Sequence, residues 1–256
     1  MRQARFSHSL VFALLAACGS DSKTTGTDAP SGPPVDSAPT VDTPSGGGMI
    51  NITGAAVERT AGGMMAVGGA TIGAYQNGND ATPVATTTSA ADGSFTLAVP
   101  STGGPLDGYL KATKAGLKDT YLYAPAPISA DTVAPVNMIS PGTLSLLVAL
   151  SIGAGNQDTT KGLIALVVVN GATATSMPVA DAMVTSSSAG SAVVYNGSNM
   201  LPAPAAKMTA ADGTAFIFNV TTSADVTVSA TAPNLTLKSH GVRARADTFT
   251  TTLITP

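Results

Sequence analysis

Residues Ser89 to Val99 read SAADGSFTLAV, and residues Thr209 to Val220 read TAADGTAFIFNV. Each is a small-residue lead-in, an Asp-Gly turn and an alternating apolar run. The turn glycines, Gly93 and Gly213, can take positive φ, and period-two alternation after such a turn marks a half-buried antiparallel strand. Phe95, Leu97 and Val99 fall on one face of the first strand. The same alternation predicts Phe216, Phe218 and Val220 on one face of the second, with the apolar phase kept despite one extra residue after Gly213. Asp92 and Asp212 stand 212 − 92 = 120 positions apart, so the repeated unit is a whole domain. The fold expected is mainly β, with two tandem antiparallel sandwiches.

Composition agrees with that expectation. The 256 residues suffice for two domains of ordinary size. With 27 Gly, 17 Pro and few strong helix formers, turn-punctuated strands suit the chain better than helices. Only 11% of residues are charged and the net charge is −3, which argues against a nucleic-acid surface. A single cysteine excludes an intramolecular disulfide.

Outward from the repeat, the first unit runs over 49–138. Ile50, Ile52 and Val57 open it as a strand, and Ala70, Ile72 and Ala74 alternate inward before the turn Gln76-Asn77-Gly78-Asn79. The second unit, 161–256, opens with Leu163 to Val169, a run suited to a central strand. Pro178 to Val184 repeats Ala66 to Ile72, with Asp181 where Gly69 stands. The loop before the second Asp-Gly turn is longer, 212 − 182 = 30 positions against 92 − 70 = 22. It holds the turn signal Tyr195-Asn196-Gly197-Ser198, which predicts an extra hairpin. Val226 to Thr231 matches the Tyr109 strand, and Val242 to Ala246 and Phe249 to Ile254 close the unit. The connector 139–160 carries the apolar run Leu144 to Ile152, with Ser140 or Thr143 as cap and Gly153 as stop. Periodicity does not separate helix from buried strand there; the caps favour a short helix.

The order of these segments resembles the carboxypeptidase regulatory-like (transthyretin-like, prealbumin-type) domain. Gly54/Val57, Gly69-Ala70-Thr71-Ile72, Asp92-Gly93-Ser94-Phe95, Gly108-Tyr109 and Lys114-Ala115-Gly116-Leu117 stand in that family's pattern, Leu117 replacing the usual aromatic. The resemblance implies prealbumin-like (Ig-like) sandwiches that accompany or support other activities, and it is weaker in the second unit.

The N-terminus begins MRQARFSHSLVFALLAACGS. Arg2 and Arg5 precede a short apolar run, the pattern of a secretory signal over 1–17. Leu15-Ala16-Ala17-Cys18 resembles the lipobox of bacterial lipoproteins, which implies acylation of Cys18 and anchoring to a membrane by several acyl chains. Gly19 and Ser20 after the cysteine imply an outer-membrane destination in the cell envelope. Over 18–48, prolines interrupt Ser, Thr, Gly and Asp with hardly an aliphatic residue, a composition expected to stay disordered as a stalk.

Candidate chemistry is sparse. His8 lies in the signal, so His240 stands alone, beside Gly241 on a strand end, and reads as a solvated residue. No G-x-S-x-G elbow is present, and paired Cys or His zinc sites are excluded by count. Glu58 is the only Glu, and Asp80, Asp92, Asp107 and Asp212 sit in turn contexts. These observations point away from an enzyme and call for no cofactor and no metal. Asn77, Asn79 and Asp80 offer oxygen ligands, but a hairpin loop explains them without an ion. Arg243 and Arg245 alternate with small residues and are expected to face solvent. Tyr121 and Tyr123, at i and i+2, are candidate glycan contacts if exposed and ordinary core residues if buried. The function expected is a non-catalytic surface module for structure, adhesion or protein interaction, with a surface protein or polysaccharide as partner and carbohydrate binding as the alternative.

Overall fold

The computed structural model describes residues 48–60, 62–101 and 104–256. Cys18, the signal and most of the stalk segment lie outside the described residues. The first half is built of β1 (Gly48–Thr60), β2 (Gly63–Ala66), β3 (Thr71–Gln76), β4 (Ala85–Thr88), β5 (Ser94–Ser101), β6 (Gly108–Thr113), β7 (Thr120–Tyr123), β8 (Thr132–Val133) and β9 (Val136–Ile139). Helix α1 (Pro141–Ser151) follows. The second half holds β10 (Gly162–Val168), β11 (Met183–Ser186), β12 (Ala192–Asn196), β13 (Pro202–Ala203), β14 (Thr214–Val220), β15 (Val226–Thr231), β16 (His240–Val242) and β17 (Phe249–Ile254). The described residues are mainly β with one short helix, as their pattern predicts.

The two halves repeat one topology. β1 pairs antiparallel with β5 and parallel with β9; β10 pairs antiparallel with β14 and parallel with β17. β3–β6–β7 and β11–β15–β16 form the facing antiparallel sets. The duplication extends to single hydrogen bonds around the Asp-Gly turn. Ser89 Oγ donates to Val67 O (2.6 Å) and accepts from the Ala70 N–H (2.9 Å). Thr209 Oγ1 donates to Val179 O (2.7 Å) and accepts from the Ala182 N–H (2.9 Å). Both hydroxyls are buried. The Ala56 N–H donates to Gly93 O and the Val168 N–H to Gly213 O, at 2.8 and 2.9 Å. Gly93 and Gly213 have φ of 82° and 64°, and a Cβ on either would stand 2.5 Å from Ala56 O or Val168 O. Only glycine fits that approach. Gly69 and Asp181 also correspond, with φ of 69° and 58°.

Strand patterning alone does not predict how the halves join. β17 lies between β10 and β7, parallel to both, with Phe249 to Thr252 paired to Thr120 to Tyr123. One nine-stranded sheet, ordered β13-β12-β14-β10-β17-β7-β6-β3-β4, therefore runs through both halves. Its two faces are used unequally. On one face Ile72, Leu110 and Ala112 meet the first core with Ile52, Leu97 and Met138. On the other, Ile164, Leu166, Ile217 and Ile254 meet the second core with Val184, Val228 and Val242. A third cluster, behind the second half, joins Leu163, Val194, Phe218 and Phe249 to Val148 of α1.

Helix α1 forms as its caps predict. Ser140 is the N-cap, its Oγ accepting from the Thr143 N–H at 3.4 Å, Pro141 opens the first turn, and Gly153 follows the C-cap with φ of 91°. Leu144, Leu147, Val148 and Ile152 pack against the third cluster. Among the described residues, no helix is long and apolar enough to cross a membrane.

The helix explains one correction. Phe216 and Phe218 do not share a face with Val220. From Gly213 to Ile217 the strand keeps the register of the first half, so Ala215 and Ile217 take the places of Phe95 and Leu97 in the core and both phenylalanines turn toward the helix side. Asn219, at φ 57°, then interrupts the alternation and returns Val220 to the core. A register irregularity in the β10 pairing accompanies it, as a bulge requires.

Candidate functional site

Among the described residues, a group of polar and aromatic side chains lies where the halves meet. β6 and β7 are apolar on both faces, because Leu110 and Leu122 serve the first core while Tyr109, Tyr121 and Tyr123 serve the second. Tyr75 stacks on Tyr109 with centroids 5.4 Å apart and planes 4° apart, and Tyr109 lies 5.6 and 5.1 Å from Tyr121 and Tyr123. Arg245, from the segment before β17, lays its guanidinium 4.0 Å from the Tyr121 centroid and 4.8 Å from that of Tyr109. Its Nη2 donates to both oxygens of Asp80 at 2.9 Å, and Nη1 donates to the Tyr123 hydroxyl at 3.1 Å. The Tyr109 hydroxyl also donates to Asp80, at 2.5 Å.

The electrostatics follow from these contacts. Burial works against the Asp80 carboxylate, yet hydrogen bonds from Tyr109 and Arg245 outweigh it and hold its pKa below the ordinary value. Burial raises the Tyr109 phenol, and donation to Asp80 raises it further. Tyr123 is raised by burial, against the opposing pull of Arg245. The cluster is thus a fixed ion pair inside an aromatic frame, tying the β3–β4 loop to a segment 165 residues later. Cation–π contact and charge-assisted hydrogen bonds make it an anchor between the halves.

Beside it opens a cleft of about 280 Å³, lined in part by Asn77, Asp107, Tyr123, Pro125, Asp225 and His240. Its polar groups are engaged. Asn77 Nδ2 donates to Asp107 at 2.8 Å, and Arg243 Nε lies 2.9 Å from Asp225. His240 Nε2 is 2.7 Å from Thr252 Oγ1, which donates to Tyr123 O at 3.0 Å. Burial lowers the His240 pKa.

Several readings change here. Tyr121 and Tyr123 are 7% and 5% exposed, so they form no platform for a sugar; they are core residues of the seam. Arg245 does not face solvent but packs on those rings. His240 is half-buried and hydrogen-bonded, not solvated. Asn79 Oδ1 accepts from the Ala81 and Thr82 N–H groups and Asp80 is taken by Arg245, so the three oxygen donors of that loop are turn and seam residues. Among the described residues no cluster of three His, Cys, Asp or Glu could hold a metal. The seam had one signal in the sequence: Tyr109-Leu110 and Tyr121-Leu122-Tyr123 leave no polar face, which marks a strand buried on both sides.

No family model matches the chain. No curated protein matches it either. Among solved structures, shaft pilin SpaA from Lactobacillus rhamnosus GG aligns over 82% of this chain and 98% of its own, at 11% identity and a TM-score of 0.26. The minor pilin GBS52 from Streptococcus agalactiae aligns over 80% and 94%, at 12% identity and a TM-score of 0.26. The Bacillus anthracis TIE protein aligns over 80% and 33%, at 11% identity and a TM-score of 0.25. Scores this low define no common arrangement. The class rests on the strand order above: a duplicated β-sandwich protein whose halves share one sheet.

Proposed function

We propose that the protein is a non-catalytic module of the bacterial cell surface, held to the outer membrane by acyl chains on Cys18 and presented beyond it by the stalk of 18–48. The domain units 49–138 and 161–256, diverged from one carboxypeptidase regulatory-like ancestor, act in this reading as a single rigid spacer for structure, adhesion or protein contact. The observation that carries it is the nine-stranded sheet. Pairing of β17 with β7, reinforced by Arg245 and Asp80, links the halves through hydrogen bonds, where a linker alone would let them move independently. Several acyl chains are needed for stable anchoring, since one gives only marginal binding.

Metabolic labelling with an azido fatty acid, followed by fractionation, tests the anchor. Wild type should label and sediment with membranes, and Cys18→Ser should do neither. Unlabelled wild type found wholly in the soluble fraction would overturn the anchor.

A further inference from the structure

The two halves treat one strand edge differently. In the second half the outer edge of β14 is covered by β12, with Val194 opposite Phe216 and Ala192 opposite Phe218. β12 belongs to the longer loop of this half. In the first half the corresponding link forms β4, which pairs instead with β3 in the other sheet. Among the described residues, β5 therefore pairs on one side only, with β1.

The direction of its free groups follows from the ladder. The bond from the Ala56 N–H to Gly93 O sets the alternation, so Phe95, Leu97 and Val99 bond toward β1. Ser94, Thr96, Ala98 and Pro100 direct their main chains outward, and all four are exposed. Ser94 is already satisfied: its N–H donates to Asp92 at 3.0 Å and its carbonyl accepts from the Ala90 N–H at 2.8 Å. Among the described residues, Thr96 and Ala98 have no outward partner, and Pro100 has no N–H to offer. The second half also leaves β11 at a sheet edge, but there the Tyr195 hydroxyl accepts from the Val184 N–H at 2.9 Å and donates to its carbonyl. That edge is sealed, and β5 is not.

We propose that the free edge of β5 pairs antiparallel with β5 of a second copy of this chain, about a two-fold axis at Leu97. The edge is self-complementary in that register. Thr96 stands opposite Ala98 of the second copy, so each exchanges both of its outward hydrogen bonds. Pro100, lacking a donor, stands opposite Ser94, whose carbonyl is already bonded and needs none. A two-fold axis at Leu97 sets Thr96 and Ala98 near their own twins, so a charge at either would repel itself. Ser94, Thr96, Ala98 and Pro100 carry none, whereas unpaired edges are commonly protected by charge. The first-half sheet becomes continuous across the axis, as the nine-stranded sheet is already continuous across the seam.

Sedimentation equilibrium of the full-length chain in mild detergent tests this, with circular dichroism to show that each variant is folded. Wild type should sediment at the mass of two copies. Thr96→Lys and Thr96→Glu, both at an exposed site, should each sediment at the mass of one, since like charges meet across the axis. Mixing those two variants in equal amounts should restore the two-copy mass. Wild type at the one-copy mass across the micromolar range would overturn the pairing, even if the edge then took a strand from another protein. A two-copy mass that survives both single variants would equally overturn it, placing the contact elsewhere or in the lipid.

Discussion

β5 and β14 descend from the same stretch and end in different surroundings. β5 shows one face to its core and one to solvent, with Phe95, Leu97 and Val99 buried and Thr96 and Ala98 exposed. β14 is covered on both faces and on both edges: Ile217 in the second core, Phe218 beneath α1, β10 on one side and β12 on the other. At the positions of Thr96 and Ala98 stand Phe216 and Phe218. The backbone template is shared, while its outer face is polar where it meets solvent and apolar where a helix and a hairpin lie over it. A residue's role in this fold is set by what covers the strand, more than by the strand itself.

The largest effect should come from breaking that cover. Phe218, fully buried, should cost about 3–5 kcal/mol on truncation to Ala through transfer and cavity terms. Ala98→Ser at the matching site of β5 should lie within about 0.5 kcal/mol of wild type, as exposed substitutions do. Urea titrations of the two variants check both values, and similar losses at both sites would erase the distinction between the strands.

The shared turn should respond alike in both halves. Gly93→Ala and Gly213→Ala each place a Cβ 2.5 Å from a carbonyl at positive φ, and each should cost about 1–3 kcal/mol from backbone strain alone. A smaller asymmetry sits nearby. Asp181 holds φ of 58° where the first half has Gly69, so Asp181→Gly should raise the melting temperature by relieving about 1 kcal/mol of strain. A fall would mean that the Asp side chain stabilises the turn by another route.

The smallest expected effect is a pH slope at the seam. Burial lowers the His240 pKa, so the folded state favours the neutral ring. Stability from that preference is present above the unfolded value of about 6.5 and is lost as pH falls through the folded value, because the unfolded chain takes up its proton first. His240→Gln should flatten the change in melting temperature between pH 7 and pH 5. An unchanged slope would assign it to other groups.

Much of the strand content was legible in the residues, because Asp-Gly turns, period-two alternation and the Ser140 and Gly153 caps are local signals. The short helix, the inserted hairpin and the burial of Phe95, Leu97 and Val99 all follow from such signals. The phase of β14 was not legible: the run Ala215 to Val220 is apolar at nearly every position, so alternation has two solutions, and the bulge at Asn219 depends on backbone conformation. The seam was less legible still. Arg245 and Asp80 are 165 residues apart, and each alone looks like an ordinary turn or surface residue. Only the placement of β17 between β10 and β7 brings them together, and nothing in the composition of Phe249 to Ile254 selects that slot.

The central claim is that the shared sheet makes the two halves one cooperative body. Scanning calorimetry of wild type and Phe218→Ala tests it most directly, since Phe218 belongs to β14 of the second half and not to the β17–β7 ladder. The account predicts one transition in each protein, with calorimetric and van't Hoff enthalpies equal and the whole transition moved to lower temperature by the substitution. Two transitions, of which only one moves, would contradict it.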